Sequence, residues 1–370
     1  MKILHICNDF SASKVHASLY QELDALGVEQ TIFSPVRDAS LIGNNIFKSL
    51  HTDFVYANVV KPYHRYVYHL KRKHVFNEML KRIDVRQFNL CHATTLLTDG
   101  GLAYLLYKKY SIPYVVAVRN TDINGFLDLM PHTWLSARKI LLHAARVFFI
   151  SEGLKRKFLS HVSVRGIVPK IEKKIVLMPN GINDYFLDHV QHRSHTGHGV
   201  IYVGDFSSNK NVVRLGEAVL RLKKEPQFQD IMLTIVGGGH DNSNRVQKMI
   251  SNHPDTMNYI GKIYDKEKLC SLYSKNKVFA MPSIHETFGL VYLEALSQNL
   301  PVLYTKGQGI DGLFSESVGI AVNPLSVDEI ATALRQLLTN DKYSNKEVDF
   351  SRFRWRLIAQ QYLNYYRSVK

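Results

Sequence analysis

"KVFAMPSIHETFGLVYLEALSQ", residues 277–298, reads as a strand, a short loop and a helix in that order. Val278–Met281 is an apolar run without alternation, as expected of a strand buried on both faces. Pro282 and Ser283 stop it, and apolar residues resume at helical spacing after Gly289. The loop carries Glu286 and the helical run carries Glu294, two acids that a core helix does not need. At such a helix start the N–H groups of Phe288, Gly289 and Leu290 lack intrahelical partners, and the positive end of the helix dipole favours an anion such as phosphate. Gly289 allows a ligand close to the backbone. Glu294, about one turn further on, can accept two hydrogen bonds from a vicinal diol such as ribose. A capping acid and a partly exposed helical Glu account for the same spacing without a ligand, so the surrounding chain decides.

Outward from this stretch the same alternation recurs. "KILHIC" (2–7), "EQTIFSP" (29–35), "FNLCHA" (88–93), "PYVVAV" (113–118), "ARVFFI" (145–150) and "KIVLMP" (174–179) are strand candidates separated by helical or loop segments. "SKVHASLYQELDALG" (13–27) is helical and ends on Gly27. A polar stretch rich in His and Gly, 180–199, interrupts the pattern and reads as a domain junction. The cycle restarts with "GVIYVG" (199–204), a helix over about 211–224, and "DIMLTIVGGG" (230–239). "MNYIG", "KVFAMPS", "LPVLYT" and "VGIAVNP" supply further strands. The expected fold is α/β: two doubly wound, Rossmann-like domains over 1–185 and 198–345, each a parallel sheet covered on both faces. Residues 346–370 form a last helix, too aromatic for a solvated tail, that returns to the first domain. Ligands of such sheets bind beyond the carboxyl ends of the strands, so two domains facing one another would line a cleft.

At 370 residues, two domains are the natural expectation, and 45% apolar with 21% charged residues is a soluble globular composition. No apolar stretch approaches the roughly 18–20 residues of a spanning helix. The beginning, "MKILHICNDF", reads as a strand rather than a signal peptide. Cys7, Cys91 and Cys270 are too widely spaced for a disulfide framework or a zinc motif, which fits a reducing compartment. The net charge of +15 is uneven: residues 1–200 carry 26 Lys and Arg against 15 Asp and Glu, and the remainder 21 against 17. A basic first half suits an anionic surface or ligand on that side.

The pattern Pro-Ser-x-x-Glu-x-Phe-Gly-Leu-x-x-x-Glu-Ala resembles the signature of glycosyltransferase family 4, retaining nucleotide-sugar enzymes of GT-B fold. Other elements are similar to that family in the same order: "IVLMPNGIND" (175–184), "YVGDFSSNKN" (202–211), "LTIVGGGH" (233–240) and "YIGKI" (259–263). The likeness is strong over about 176–325 and looser before it. It implies that Lys210 neutralises the diphosphate, that Glu286 binds the hydroxyls of the donor sugar, and that Glu294 holds the ribose. It implies backbone donors at Phe288, Gly289 and Leu290, base contacts at Gly261 and Ile263, and a nucleotide admitted by the small size of Gly237.

Three positions depart from the family. Asp205 follows Gly204 where the family has Arg, an acid that would repel a diphosphate unless paired or turned away. "NDFSASKVH" (8–16) lacks the usual Gly-Gly pair, leaving Ser13 and nearby amides to meet the diphosphate. "AVRNTDIN" (117–124) has Arg119 where many members have a sugar-contacting His, followed by Asp122. Arg119 then replaces either the lost cation or that His, and the plain alternative is an Arg–Asp surface pair. No Asp-x-Asp metal motif follows a strand, "GGG" (237–239) is not followed by Lys-Ser/Thr, and His92 reads as a buried hydrogen-bonded histidine.

The expected activity is metal-independent, retaining transfer of a hexose-type sugar from a nucleotide sugar, UDP-linked, without cofactor. The acceptor is a saccharide or lipid-linked saccharide of bacterial surface polysaccharide synthesis. A sugar-nucleotide epimerase or phosphorylase shares the architecture. A basic nucleic-acid-binding protein is the reading from a different class, against which the charge is diffuse and no nucleic-acid module is present. Residues 61–86, "KPYHRYVYHLKRKHVFNEMLKRIDVR", hold eight Lys and Arg, three His and two acids, Glu78 and Asp84, with Tyr63, Tyr66, Val67 and Leu70 between them. Such a segment suits an anionic membrane surface, giving a cytoplasmic protein held peripherally at the inner face of the cell membrane. A solvated helix whose apolar residues face the domain's own sheet is the competing reading.

Overall fold

The computed structural model describes residues 1–369 apart from Tyr66, 193–195, Ser344 and Lys346, and apart from the side chain of Arg65. Contacts divide the chain into two units. The first comprises Met1–Ile150, Leu154–Gly181 and Trp355–Lys370, and the second Ser151–Gly153 and Ile182–Arg354.

The first unit is a seven-stranded parallel sheet: β1 (Lys2–Ile6), β2 (Glu29–Val36), β3 (Thr52–Asn58), β4 (Leu90–Ala93), β5 (Tyr114–Ala117), β6 (Arg146–Phe149) and β7 (Ile175–Leu177). The order β3-β2-β1-β4-β5-β6-β7 reverses direction between β1 and β4, so their carboxyl ends flank the switch point. Ile3, Leu4 and Ile6 of β1 have no exposed surface, which is why this run is apolar on both faces. Strand β3 is absent from the sequence reading. It pairs only with β2 at the sheet edge and is partly exposed along most of its length, so it lacks the apolar run of the inner strands.

The helix Trp355–Arg367 completes this first core. Ile358, Ala359, Tyr362, Leu363 and Tyr366 lie on one helical face and are buried in one cluster with Ile3, Phe10, Tyr20 and Leu23. The Tyr366 hydroxyl bonds Nδ1 of buried His92 at 2.8 Å. Each such large apolar side chain contributes on the order of 1.5–3 kcal/mol on burial.

The second unit is a six-stranded parallel sheet of β8 (Gly199–Gly204), β9 (Met232–Gly237), β10 (Met257–Gly261), β11 (Val278–Ala280), β12 (Val302–Thr305) and β13 (Gly319–Val322), in the order β10-β9-β8-β11-β12-β13. Its outer helices show clear sequence logic. Val212, Leu215, Val219 and Leu222 bury one face of Val212–Leu222. Ser326 caps Val327–Thr339 by accepting from the N–H of Glu329, in a Ser-x-x-Glu sequence.

The expected boundaries at 185 and 346 shift. Ile182 N–H donates to Phe353 carbonyl at 3.0 Å, so the chain enters and leaves the second unit along neighbouring backbone. The stretch 180–199, read as irregular, contains the short helix Asp184–Asp188, capped by Asn183. No helix among the described residues is long and apolar enough to cross a membrane.

Candidate active site

In the second unit the loops after β8, β11 and β12 converge on one ion pair. Lys210 Nζ lies 2.7 Å from Glu286 Oε2, with 22% and 11% of their side chains exposed. Two asparagines hold this arrangement. Asn209 makes a two-way bond with the backbone of His285, its Nδ2 donating to the carbonyl and its Oδ1 accepting from the N–H, both at 2.9 Å. Asn211 adopts a left-handed backbone (φ 60°) and its Nδ2 donates to the carbonyls of Pro282 and Pro324. Lys210 stands between these clamps, so its ammonium is aimed by its neighbours rather than by its own flexible stem. The backbone of Glu286 is fixed by Gln308 Oε1 (2.8 Å) and Gly309 N–H (3.0 Å), and its Oε1 accepts from Thr287 N–H (3.1 Å). Sequence reading passed over Asn209, Asn211, Gln308 and Gly309. The only local signal was the pair of amides flanking Lys210.

Helix Leu290–Ser297 begins as expected, with Gly289 as its cap at φ 77°. A Cβ on Gly289 would lie 2.4 Å from the Tyr292 ring and 3.2 Å from Glu286 Cγ, so glycine is required both by backbone and by space. The Phe288 ring is buried, which leaves only its backbone for a ligand. Glu294 accepts no hydrogen bond on its carboxylate among the described residues. Burial pushes its carboxyl up to about 7, against the opposing charge of Lys266.

Asp205 does not stand free in the site. Its Oδ1 accepts from Ser207 N–H at 2.8 Å, and Oδ2 is 4.0 Å from His240 Nε2. Partial burial raises its pKa, but the Ser207 bonds and the His240 and Lys210 charges outweigh it and hold the carboxyl below its usual range. The acid therefore shapes its own loop, and Lys210 feels two carboxylates. Gly237 is required by packing as well. It is paired with Gly204 across the sheet, and a Cβ there would lie 1.7 Å from the Gly204 carbonyl oxygen. Strand packing alone forbids a side chain. Gly261 has φ 84° with open space beside it, and Ile263, two residues on, is half-buried.

Ser13, Arg119 and Asp122 lie at the carboxyl ends of the first unit's strands. Ser13 N–H bonds the Asp9 carbonyl at 2.9 Å, and Ser13 heads the helix Lys14–Ala25 without capping it through its side chain. Asp122 is fully buried and accepts from the N–H groups of Leu96, Leu97 and Arg119 at 2.9–3.1 Å. Burial lifts its carboxyl to about 6 despite these bonds. Both oxygens are occupied by backbone, so Asp122 positions two loops. Its burial rules out the Arg–Asp surface pair. Arg119 remains half-buried, its Nε donating to Thr94 carbonyl at 3.2 Å. His16, not singled out by the sequence, is nearby; burial, then Arg119 and His5, press its pKa down to about 3, so it stays neutral. Among the described residues no three His, Cys, Asp or Glu side chains are grouped to hold a metal ion.

Comparison with known proteins agrees with this fold. Residues 12–181 match the family described as "Glycosyl transferase 4-like domain", and residues 187–352 match "Glycosyl transferases group 1". The chain is 23% identical to the teichuronic acid biosynthesis glycosyltransferase TuaC of Bacillus subtilis (strain 168), over 90% of this chain and 88% of that one. In fold it is similar to sucrose-phosphate synthase from Thermosynechococcus elongatus (TM-score 0.72, 19% identity, covering 100% and 99% of the two chains). It is likewise similar to Anabaena HepE, solved in complex with UDP and glucose (TM-score 0.69, 16% identity, full coverage of both). The two parallel sheets, the ordered motifs and these matches together show that the chain belongs to the family 4-type glycosyltransferases of GT-B fold.

Proposed function

We propose that this glycosyltransferase moves a hexose-type sugar from a UDP-sugar to a saccharide or lipid-linked acceptor, with retention at the anomeric carbon, in the assembly of a bacterial surface polysaccharide. The observation that carries the donor reading is the Lys210–Glu286 pair, clamped by Asn209 and Asn211 beside the start of helix Leu290–Ser297. As the bond between C1 and the phosphate oxygen breaks, charge grows on the diphosphate, and Lys210 with the N–H groups at the helix start stabilises it. The same groups can take the part of a divalent cation, so transfer should survive EDTA. Glu286 accepts from hydroxyls of the sugar, and Glu294 from the ribose diol. The acceptor oxygen bonds C1 on the face the leaving group vacates, and its proton passes to the departing phosphate oxygen. Such a front-face step needs a held diphosphate and a positioned hydroxyl, not a covalent nucleophile. UDP and a surface polymer are named because relatives are: HepE is solved with UDP, and TuaC is named for teichuronic acid synthesis.

Peripheral attachment to an anionic membrane belongs to the same proposal. Residues 61–86 form separate elements, Pro62–Arg65, Tyr68–Arg82 and Val85–Gln87, not one helix, and Tyr66 lies outside the described residues. Tyr68, Val75, Phe76 and Met79 are buried, and Glu78 pairs with Lys81 and Arg82. Tyr63, Val67 and Leu70 remain exposed beside Lys73, and these support the membrane reading.

The direct test incubates the protein with a panel of nucleotide sugars and follows hydrolysis by mass spectrometry. Turnover of one UDP-sugar with EDTA present is the expected result. Binding of a short oligonucleotide but not of UDP, by calorimetry, would overturn the reading.

A further inference from the structure

A cavity of about 770 Å³ opens in the first unit at the carboxyl ends of β2, β3 and β5. Arg37, Lys61, His64 and Lys71 line one part of it, and no described acid lines it. None of the three permanent cations is within ion-pair distance of a carboxylate among the described residues. Burial is the main cause of the lowered pKa of Lys71; of the nearby charges, Asp99 and Asp9 favour its ammonium and Arg37 opposes it. The lining itself carries positive charge only, and like charges around a concave, partly buried space are eased by an anion placed between them.

His64 adds an independent sign. It is 2% exposed, and its Nδ1 accepts from the N–H of Lys61 at 3.1 Å. That bond places the proton of the neutral ring on Nε2. Nε2 is buried with no partner, in a ring that lines the cavity. A buried unsatisfied donor costs on the order of 1–3 kcal/mol, and a turn of the ring toward a ligand oxygen in the cavity would remove that cost. The rest of the lining includes apolar Phe126, Met130 and Leu129, the last 74% exposed. Basic and apolar groups lining one cavity suit an anionic amphiphile.

We propose that this cavity holds the anionic group of the acceptor, a phosphate or a uronate carboxylate, with His64 Nε2–H as donor and Arg37, Lys61 and Lys71 around it. Naming the ligand as acceptor rests on the glycosyl-transfer reading above; the anion site itself rests on the cavity. Calorimetry with monomeric octyl phosphate, octyl β-D-glucuronide and neutral octyl β-D-glucoside tests it. At least one anionic probe should bind about tenfold or more tighter than the glucoside, which is about 1.4 kcal/mol. Preference for the phosphate assigns a phospholipid-type acceptor, and preference for the glucuronide assigns a uronate in the saccharide. Arg37→Gln/Lys61→Gln and, separately, His64→Phe should each abolish that preference while UDP still binds, which shows that the variants fold. Equal binding of all three probes, or unchanged preference in both folded variants, overturns the proposal and leaves the donor reading intact. Preference for an anionic probe in a protein that fails to bind UDP overturns the donor reading and, with it, the naming of the ligand as acceptor.

Discussion

Lys210 and Glu286 neutralise one another across 2.7 Å, although each is proposed to serve a different part of the donor. Removing either therefore has two effects: a lost contact with the donor and an unpaired partner. Lys210→Ala and Glu286→Gln should each lower kcat by about two orders of magnitude. The double variant should lose less than the product of the two, because one broken pair is counted in both single changes. Steady-state kinetics of the three variants checks this. A double loss equal to the product would mean the two residues act independently.

Glu294 makes donor binding depend on pH. Its carboxyl is raised to about 7 by burial, and a diol donates to it best when it is ionised. Wild-type UDP affinity should weaken as pH falls from 8 to 6 more steeply than that of Glu294→Gln, the variant serving to subtract titration of the phosphate itself. The same shift acts on stability with a definite sign. The folded state holds this proton more tightly than the unfolded chain, whose Glu titrates at roughly 4.3, so stability falls as pH rises between these values. Glu294→Gln should melt higher than wild type at pH 8 and lose that advantage below about pH 4.

Asp122 and Arg119 should separate cleanly. Asp122→Ala strands three N–H donors, two of them buried, and a stability loss of about 2–4 kcal/mol in urea unfolding is expected. Arg119→His keeps those bonds and should melt near the wild-type temperature while depressing turnover or changing donor preference. If Asp122→Ala unfolds like wild type yet loses activity, its carboxylate acts on substrate.

Membrane attachment should need both charge and apolar insertion. Co-sedimentation with anionic vesicles, and failure with neutral ones, is expected of the wild type. Val67→Ser/Leu70→Ser and Lys73→Gln should each reduce it, the latter more at low salt. Equal failure with both kinds of vesicle would leave the segment as a solvated helix.

The parallel sheets were legible because their inner strands are buried on both faces and so read as apolar runs, as in Lys2–Ile6 and Val278–Ala280. Edge strand Thr52–Asn58 was not, since its exposed positions admit Asp53 and Asn58. In the site, Lys210, Glu286 and Gly289 stood in quotable motifs. The supports did not, because nothing local says that Asn211 will reach Pro282 and Pro324, 71 and 113 residues away. Asp122 shows the converse. Its nearness in sequence to Arg119 suggested a charge pair, whereas two of its partners are N–H groups of Leu96 and Leu97.

The helix Trp355–Arg367 gives the chain an unusual order of assembly. It supplies side chains to the core of the first unit, yet the ribosome makes it after the whole of the second. The stretch 182–354 is contiguous and can finish folding as soon as it emerges, whereas the first sheet must wait with Ile3, Tyr20 and His92 uncovered. Domains usually mature from the amino terminus during synthesis. Here the earlier-made unit is sealed last, so a nascent chain stalled near residue 354 should present the exposed surface that chaperones recognise.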